Sequence, residues 1–503
     1  MNYSIFPLSA LLLAGTVANF NTAKAAAKEK NKVNILFLFA DDQRADALGC
    51  SGNTYIQTPN IDQIAKNGVR FTNSYVMGGH HGAICAPSRA MLMSGKSLFH
   101  VYDKLNGIHT MPMHFADNGY ETFGTGKWHN EAEAFEASFQ KGDNVFIGGM
   151  ADHYNVPCRT LGPDRKLSEP VKNGYSTDLF VDATINYLTD YASGTREKPF
   201  FCYVAFTAPH DPRSPREDYI GMYPDGSIPL PGNFKALHPF AFDNMNVRDE
   251  TLVPWPRTPE MIQKSLSDYY ALISHLDSRI GDIIETLKTK GLFENTIIVY
   301  AADNGLAIGS HGLVGKQDLY EHSMKVPLII TGPNLPKNEV RDALVYLYDL
   351  FPTLTDLCEL PQPENVDGKD LAPVIRGKKN EVRSSIYTVY RNTVRAVRTP
   401  EWKLIRYPQR NYTQLFNLKT DPLEINNLAE LPENKAKISE LAAMMNEWQT
   451  LTDDTATMNP KTVLPLEYDY TKLKQRPDDK QPEYILERYF KGVDLSNVKR
   501  TQH

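Results

Sequence analysis

Cysteine is scarce in this chain. Its 503 residues hold five, at 50, 85, 158, 202 and 358, with no C-x-x-C pair. A chain of this length does not need disulfides to fold, and an odd count leaves at least one thiol without a partner. Runs of lysine and arginine are also missing, and the formal net charge is -6. That balance argues against a nucleic-acid or anionic-membrane partner, both of which reward a basic face. Any anionic ligand must be met by locally focused positive charge. No apolar run is long enough for a stable membrane span: the stretch from Ile5 to Phe20 is interrupted by Pro7, Ser9 and Asn19. There is no internal repeat and no low-complexity tract.

What is present is the profile of a large globular protein, 41% hydrophobic and 23% charged. The start reads as a secretory signal peptide over residues 1–25. An apolar centre is followed by small residues, with Ala23-Lys24-Ala25 fitting a cleavage site, although the leading residues carry no Lys or Arg. Export, to a periplasm, is the expected localisation. No cysteine follows the apolar run, so a lipid anchor is not expected.

Three runs of strand length, "VNILFLFA" (33–40), "PFFCYVAF" (199–206) and "NTIIVYAA" (295–302), are almost wholly apolar and end in polar residues. Such runs predict strands buried on both faces, hence a parallel sheet. A shorter one lies in "YETFGTGKWH" (120–129), after an amphipathic segment at 113–118. Helical spacing is clearest over 260–291, where Gly291 supplies a stop, and it also extends over 344–360. The expected fold is α/β, a large mostly parallel sheet sandwiched by helices, followed by a smaller C-terminal antiparallel sheet with a helix from about 433 to 451. The boundaries read as a catalytic domain at 30–379, an α+β subdomain at 380–455 and a C-terminal extension at 456–503, either an ordered wrap or a loose end.

Ligands in open α/β sheets bind beyond the carboxyl ends of the strands. Asp41 and Asp42, Lys127 and His129, His210, and Asp303 and Asn304 all stand just after expected strands. Cys85, in "HHGAICAPSRAMLMSGK" (80–96), opens an expected helix, with Pro87 in its first turn and Gly95 at its end. A helix N-terminus favours bound anions, and Arg89 lies one turn on, on the same face.

The segment Cys85-Ala86-Pro87-Ser88-Arg89, with Leu92 and Ser94-Gly95-Lys96, resembles the signature of the formylglycine-dependent type I sulfatases of the alkaline phosphatase superfamily. The order of "ADD" (40–42), "GKWH" (126–129), "PH" (209–210), "DNG" (303–305), "GK" (315–316) and a late "LFNLKTDPLEINNL" (415–428) strengthens it. The resemblance spans about 33–430. Ser94 and Lys96 depart from the family's Thr and Arg, in the part read during maturation.

The resemblance implies that Cys85 is converted by a maturation enzyme, before export, to formylglycine (3-oxoalanine). One hydroxyl of its hydrate attacks sulfur, and the other later expels sulfate. Asp41, Asp42, Asp303 and Asn304, with the residue made from Cys85, would hold Ca²⁺, which suits oxygen-only ligands better than zinc does. Arg89, Lys127 and Lys316 would clamp the sulfate, His210 would protonate the leaving alcohol, and His129 would assist sulfate release. Sulfate-ester hydrolysis on a saccharide is the expected function. His311, Asp103 and Arg391 are the candidates for reading the sugar, with His80, His81 and Gln317 nearby. The rival readings are a phosphonate or phosphate monoester hydrolase of the same superfamily and a non-catalytic glycan-binding protein on the same fold.

Overall fold

The apolar run at 34–40 is the strand Asn34–Ala40, every residue of it buried, in a computed structural model that describes residues 1–2, 32–172 and 174–493. It lies in the middle of a nine-stranded sheet. Thr296–Ala302 and Phe200–Ala205 pair with it in parallel on its two sides, and Glu121–Lys127 runs parallel beyond Phe200–Ala205. Lys141–Phe146 closes that end. On the other side Lys325–Thr331 is antiparallel to both of its neighbours, Thr296–Ala302 and Val69–Tyr75. Short strands at Glu339–Arg341 and Val345–Tyr346 then pair with Val69–Tyr75.

The central strands lack alternation because both faces are covered. Leu36, Phe37, Leu38 and Phe39 are all at 0% exposure, and each such side chain contributes roughly 1.5–3 kcal/mol of burial. The helix Pro259–Thr289 packs against Ser176–Ser193 and starts on a Thr258 side chain that accepts from the Met261 N–H. Gly291, in the left-handed region at φ +65°, follows its end.

The smaller sheet is antiparallel through Ile386–Tyr390, Val394–Arg398, Trp402–Tyr407 and Tyr412–Asn417, and the helix Lys435–Leu451 packs on it. Two features differ from expectation. Gly78–Gly79, from the catalytic part, adds to this sheet in parallel with Ile386–Tyr390, so the division near 380 is crossed by hydrogen bonds. The segment 344–360 is not one helix: Val345–Tyr346 is strand and only Leu350–Leu357 is α-helical. Asp349 accepts from the Tyr346 N–H and caps the turn between them, a bond that a continuous helix would not make. The signal-peptide stretch lies outside the described residues. Among the described residues no helix is long and apolar enough to cross a membrane.

Candidate active site

Four neighbouring parallel strands end on one edge of the sheet, and the residues just past them meet there. Asp41 and Asp42 follow Asn34–Ala40, Asp303 and Asn304 follow Thr296–Ala302, His210 lies beyond Phe200–Ala205, and Lys127 ends Glu121–Lys127. Lys127 is brought into place by a register shift between Gly124 and Gly126. Gly126 sits at φ +85°, where a Cβ would lie 1.8 Å from the Ala205 carbonyl oxygen, so only glycine fits.

Cys85 starts the helix Cys85–Ser94, which ends on Gly95 at φ +67°. Its Sγ is 3.1 Å from Lys316 Nζ and 3.6 Å from Asp42 Oδ1. Lys316 Nζ donates to Asp42 Oδ1 at 2.6 Å, and Lys127 Nζ donates to Asp41 Oδ2 at 2.5 Å. Arg89 pairs with Asp303 Oδ2 through Nε (3.0 Å) and Nη2 (2.9 Å), and its Nη1 donates to the Lys127 carbonyl at 2.6 Å. Three carboxylates and three cations are thus buried around one thiol.

Burial is the largest influence on most of these groups. It raises the Cys85 thiol well above its ordinary pKa, with Asp303 adding to the effect, so the unmodified sulfur is held as a neutral thiol. It also raises Asp41, reinforced by Asp303 and Asp42. Burial opposes the charge on Lys316, but the carboxylates of Asp42 and then Asp249 and Asp41 outweigh it and keep the ammonium charged. His129 is pushed well down by burial and then by Lys127 and Arg89. His210 is pushed down by burial and then by Lys316.

His210 turns its two nitrogens to different partners. Nδ1 lies 2.8 Å from the Asp211 carbonyl oxygen and 3.2 Å from Asp211 Oδ1, while Nε2 lies 3.6 Å from Asp42 Oδ2. His129 and Asp42 both occupy the left-handed region, at φ +64° and +62°, which costs backbone energy that packing must offset. A Cβ at Gly149 would meet His129 Nε2 at 2.3 Å, so glycine leaves room for that ring.

Two buried oxygens in this cluster have no hydrogen-bond partner: Asp41 Oδ1 and Asn304 Oδ1. Asn304 turns its Nδ2 to Asp42 Oδ1 at 2.6 Å, leaving its own Oδ1 without a donor. Oxygens buried without donors, among carboxylates that repel one another, fit a hard cation. Ligand atoms of Asp41, Asp42, Cys85 and His210 lie within 4.8 Å of one another, whereas Asp303 falls outside that tightest group.

The remaining sequence candidates divide. Asp103 pairs with His81 at 2.5 Å, and its carbonyl accepts from Asn130 Nδ2, which also donates to the Ala86 carbonyl at 3.2 Å. The Arg391 N–H donates to the Gly79 carbonyl, and its guanidinium lies 3.8 Å from where a Cβ on Gly82 would stand. Gln317 Nε2 donates to the Gly82 carbonyl at 2.7 Å. His81, Asp103, Arg391 and Gln317 therefore frame the loop that leads into Cys85. His80 instead packs edge-on against Phe99. His311 is stacked on Tyr320 at 3.9 Å, with Nε2 3.0 Å from the Glu424 carbonyl oxygen, and contacts none of the cluster around Cys85. Sequence reasoning passed over Asp211, although it stands in "TAPHDP". It also passed over Asp249, which takes a bond from Gln317 at 2.7 Å and lies 3.8 Å from Lys316 Nζ. No motif marks Asp249.

The sulfatase family pattern matches residues 33–360, nearly two thirds of the chain, and takes in every residue of this cluster. The chain belongs to the sulfatase family. It is accordingly a sulfuric ester hydrolase. A second pattern, the C-terminal part of N-sulphoglucosamine sulphohydrolases, matches residues 309–451 of this sulfatase. Among curated relatives, an N-acetylglucosamine-6-O-sulfatase of Bacteroides thetaiotaomicron is 27% identical, over 92% of this chain and 93% of its own. A choline-sulfatase of Rhizobium meliloti is 28% identical, over 82% of this chain and 85% of its own. A solved structure of a protein bound to its substrate D-glucosamine-2-N,6-O-disulfate superposes with a TM-score of 0.73 at 26% identity, over 85% of this chain and 99% of that one. The phosphonate monoester hydrolase of Agrobacterium radiobacter shares the fold, with a TM-score of 0.66 at 19% identity, over 84% of this chain and 96% of its own.

Proposed function

We propose that this sulfatase removes sulfate from a carbohydrate, with formylglycine at position 85 and Ca²⁺ held by Asp41, Asp42, Asp303 and Asn304. The observation that carries the reading is the buried Cys85 at a helix start, ringed by Arg89, Lys127, Lys316 and His210. As a neutral thiol it is a poor nucleophile. As an aldehyde hydrate it would supply one hydroxyl for attack on sulfur and another to release the sulfate afterwards. Calcium would be met by the unpartnered Asp41 Oδ1 and Asn304 Oδ1 and by the crowded carboxylates.

The chain's own groups divide the remaining work. Lys316, Lys127 and Arg89 neutralise the sulfate oxygens and favour the charge that builds as the S–O bond breaks. His210 lies with Nε2 toward Asp42 Oδ2 while Nδ1 donates to Asp211; burial disfavours its charged form, so the imidazolium that passes an Nε2 proton to the departing alcohol would form with the anionic substrate bound, whose charge offsets that burial. His129, kept neutral by burial and the neighbouring cations, is the base that takes a proton when sulfate leaves. His81, Asp103, Arg391 and Gln317 supply donors and acceptors beside the entry loop, where a sugar would be read. A saccharide fits the similarity to the N-acetylglucosamine-6-O-sulfatase and to the glucosamine disulfate complex. Export to a periplasm, after conversion by the maturation enzyme, fits the leader in the sequence.

The test is sulfate release from a panel of defined sulfated saccharides by protein produced with its maturation enzyme, alongside mass spectrometry of the peptide containing residue 85. Release from at least one saccharide, with aldehyde or hydrate at 85, is expected. Fully active enzyme carrying only thiol at 85 would overturn the formylglycine assignment. Faster turnover of phosphonate than of sulfate esters would favour the phosphonate reading, which the shared fold keeps in view.

A further inference from the structure

Beyond residue 455 the chain wraps back over the catalytic part. Leu464 N–H donates to the Gln409 carbonyl, and Ala241 N–H donates to the Leu466 carbonyl. Trp255 N–H donates to Gln475 Oε1 at 3.0 Å. The wrap ends in the helix Glu483–Tyr489, whose Arg488 Nε and Tyr489 hydroxyl both reach Asp268 on the long helix Pro259–Thr289. Ile485, Leu486, Tyr489 and Phe490 are buried there.

Midway along this path two tail side chains reach the support of the active site. Gln481, 5% exposed, donates from Nε2 to Asp211 Oδ2 at 3.1 Å. Asp478 accepts from Arg248 Nε. Arg248 spends its other two nitrogens on Asp211, Nη1 to Oδ1 at 2.8 Å and Nη2 to Oδ2, and Nη1 also meets Asp249 Oδ1 at 3.0 Å. Asp211 in turn faces His210 Nδ1. Asp249 faces Gln317 and Lys316. A guanidinium is planar, so a carboxylate on its Nε edge and another on its outer edge together fix its plane.

We propose that the tail residues Asp478 and Gln481 are positioning residues for His210: they lock Arg248 and Asp211 in one arrangement, and Asp211 then holds the imidazole with Nε2 toward the departing oxygen. The inference rests on His210 being the acid. Partners one step removed from a functional imidazole commonly set its orientation, and their loss costs about 10- to 100-fold in activity at metal-bound histidines. Without the tail, Arg248 keeps Asp211 but loses the carboxylate on its other edge, and Asp211 Oδ2 loses its amide donor.

The experiment uses the matured, calcium-loaded full chain and two substrates, a sugar sulfate whose alcohol needs a proton to leave and an activated aryl sulfate that does not. The double variant Asp478→Asn with Gln481→Leu is expected to lower kcat on the sugar sulfate about tenfold, with KM little changed and the aryl sulfate nearly unaffected. Asp478→Asn alone keeps the side-chain shape, removes its charge and turns one acceptor oxygen into a donor, and should show the same split at smaller size. Asp225→Asn, which loosens the tail at Arg488 far along the wrap, should lower the melting temperature and leave the ratio of the two substrates unchanged.

Equal loss on both substrates, or no loss on either, overturns the positioning role. So does a split as large in Asp225→Asn. His210→Ala measured in parallel separates the two layers: if it is selective for the sugar sulfate while the tail variants are not, only the tail inference falls. If His210→Ala is itself unselective, the acid assignment falls, and the tail inference with it.

Discussion

Two buried ionic clusters in this molecule use the same groups to opposite ends. At the junction with the smaller sheet, Asp349 is met on both oxygens by Arg383, Nη1 to Oδ2 at 2.5 Å and Nη2 to Oδ1 at 2.7 Å. The N–H groups of Tyr346 and Lys369 add a further bond to each oxygen at 2.8 Å. The carboxylate is closed. Around Cys85 the carboxylates crowd together, and Asp41 Oδ1 and Asn304 Oδ1 have no donor. Buried oxygens without donors are costly, and among carboxylates that repel one another a cation would relieve that cost. The paired carboxylate belongs to the framework, and the open cluster is the one proposed as the site.

The largest expected effect is on the open side. Cys85→Ala removes the group proposed to become the nucleophile and should lower kcat by on the order of 10⁶, as removal of a covalent nucleophile does, while the melting temperature moves little. Loss of folding together with activity would break the contrast. On the closed side, Asp349→Ala strands a buried guanidinium and should destabilise the protein by about 3–5 kcal/mol, measured by denaturant unfolding. Activity per folded molecule should be retained.

A third expectation concerns the proposed cation. Ca²⁺ at about 100 times its Kd should stabilise the wild type by about 2.7 kcal/mol, seen as a rise in melting temperature that chelation reverses. Asp42→Asn should abolish that response, and a response to Zn²⁺ in place of Ca²⁺ would count against the oxygen-donor site. The smallest effect is at a plain helix start. Asp277 accepts from the Ile61 N–H at 2.7 Å and the Asn60 N–H at 3.1 Å at the head of the helix Pro59–Lys66. Asp277→Ala should cost about 1 kcal/mol, with both substrates turned over as before.

How far the site could be read before the fold was known differs by residue. The central strands were legible because burial on both faces writes an unbroken apolar run, and "CAPSR" announced its helix through Pro87 and Gly95. His311 illustrates the limit: it lies in the loop that carries Lys316, but its ring turns to Tyr320 and the Glu424 carbonyl. Position near a motif does not set side-chain direction. Asp249 and Arg248 carry no local pattern, because what matters about them is what they touch.

By itself the sequence determined which segments are buried strands, where each one ends, and the identity of the groups left at those ends, since periodicity and composition are properties of neighbours along the chain. Only the tertiary structure decided that four of those ends lie side by side and that Lys316 reaches Asp42 across 274 positions. It likewise decided that the tail returns to brace Asp211. Strand order and cross-chain hydrogen bonds are settled by which surfaces can be buried together, and that is a property of the whole fold, which no window of the sequence contains.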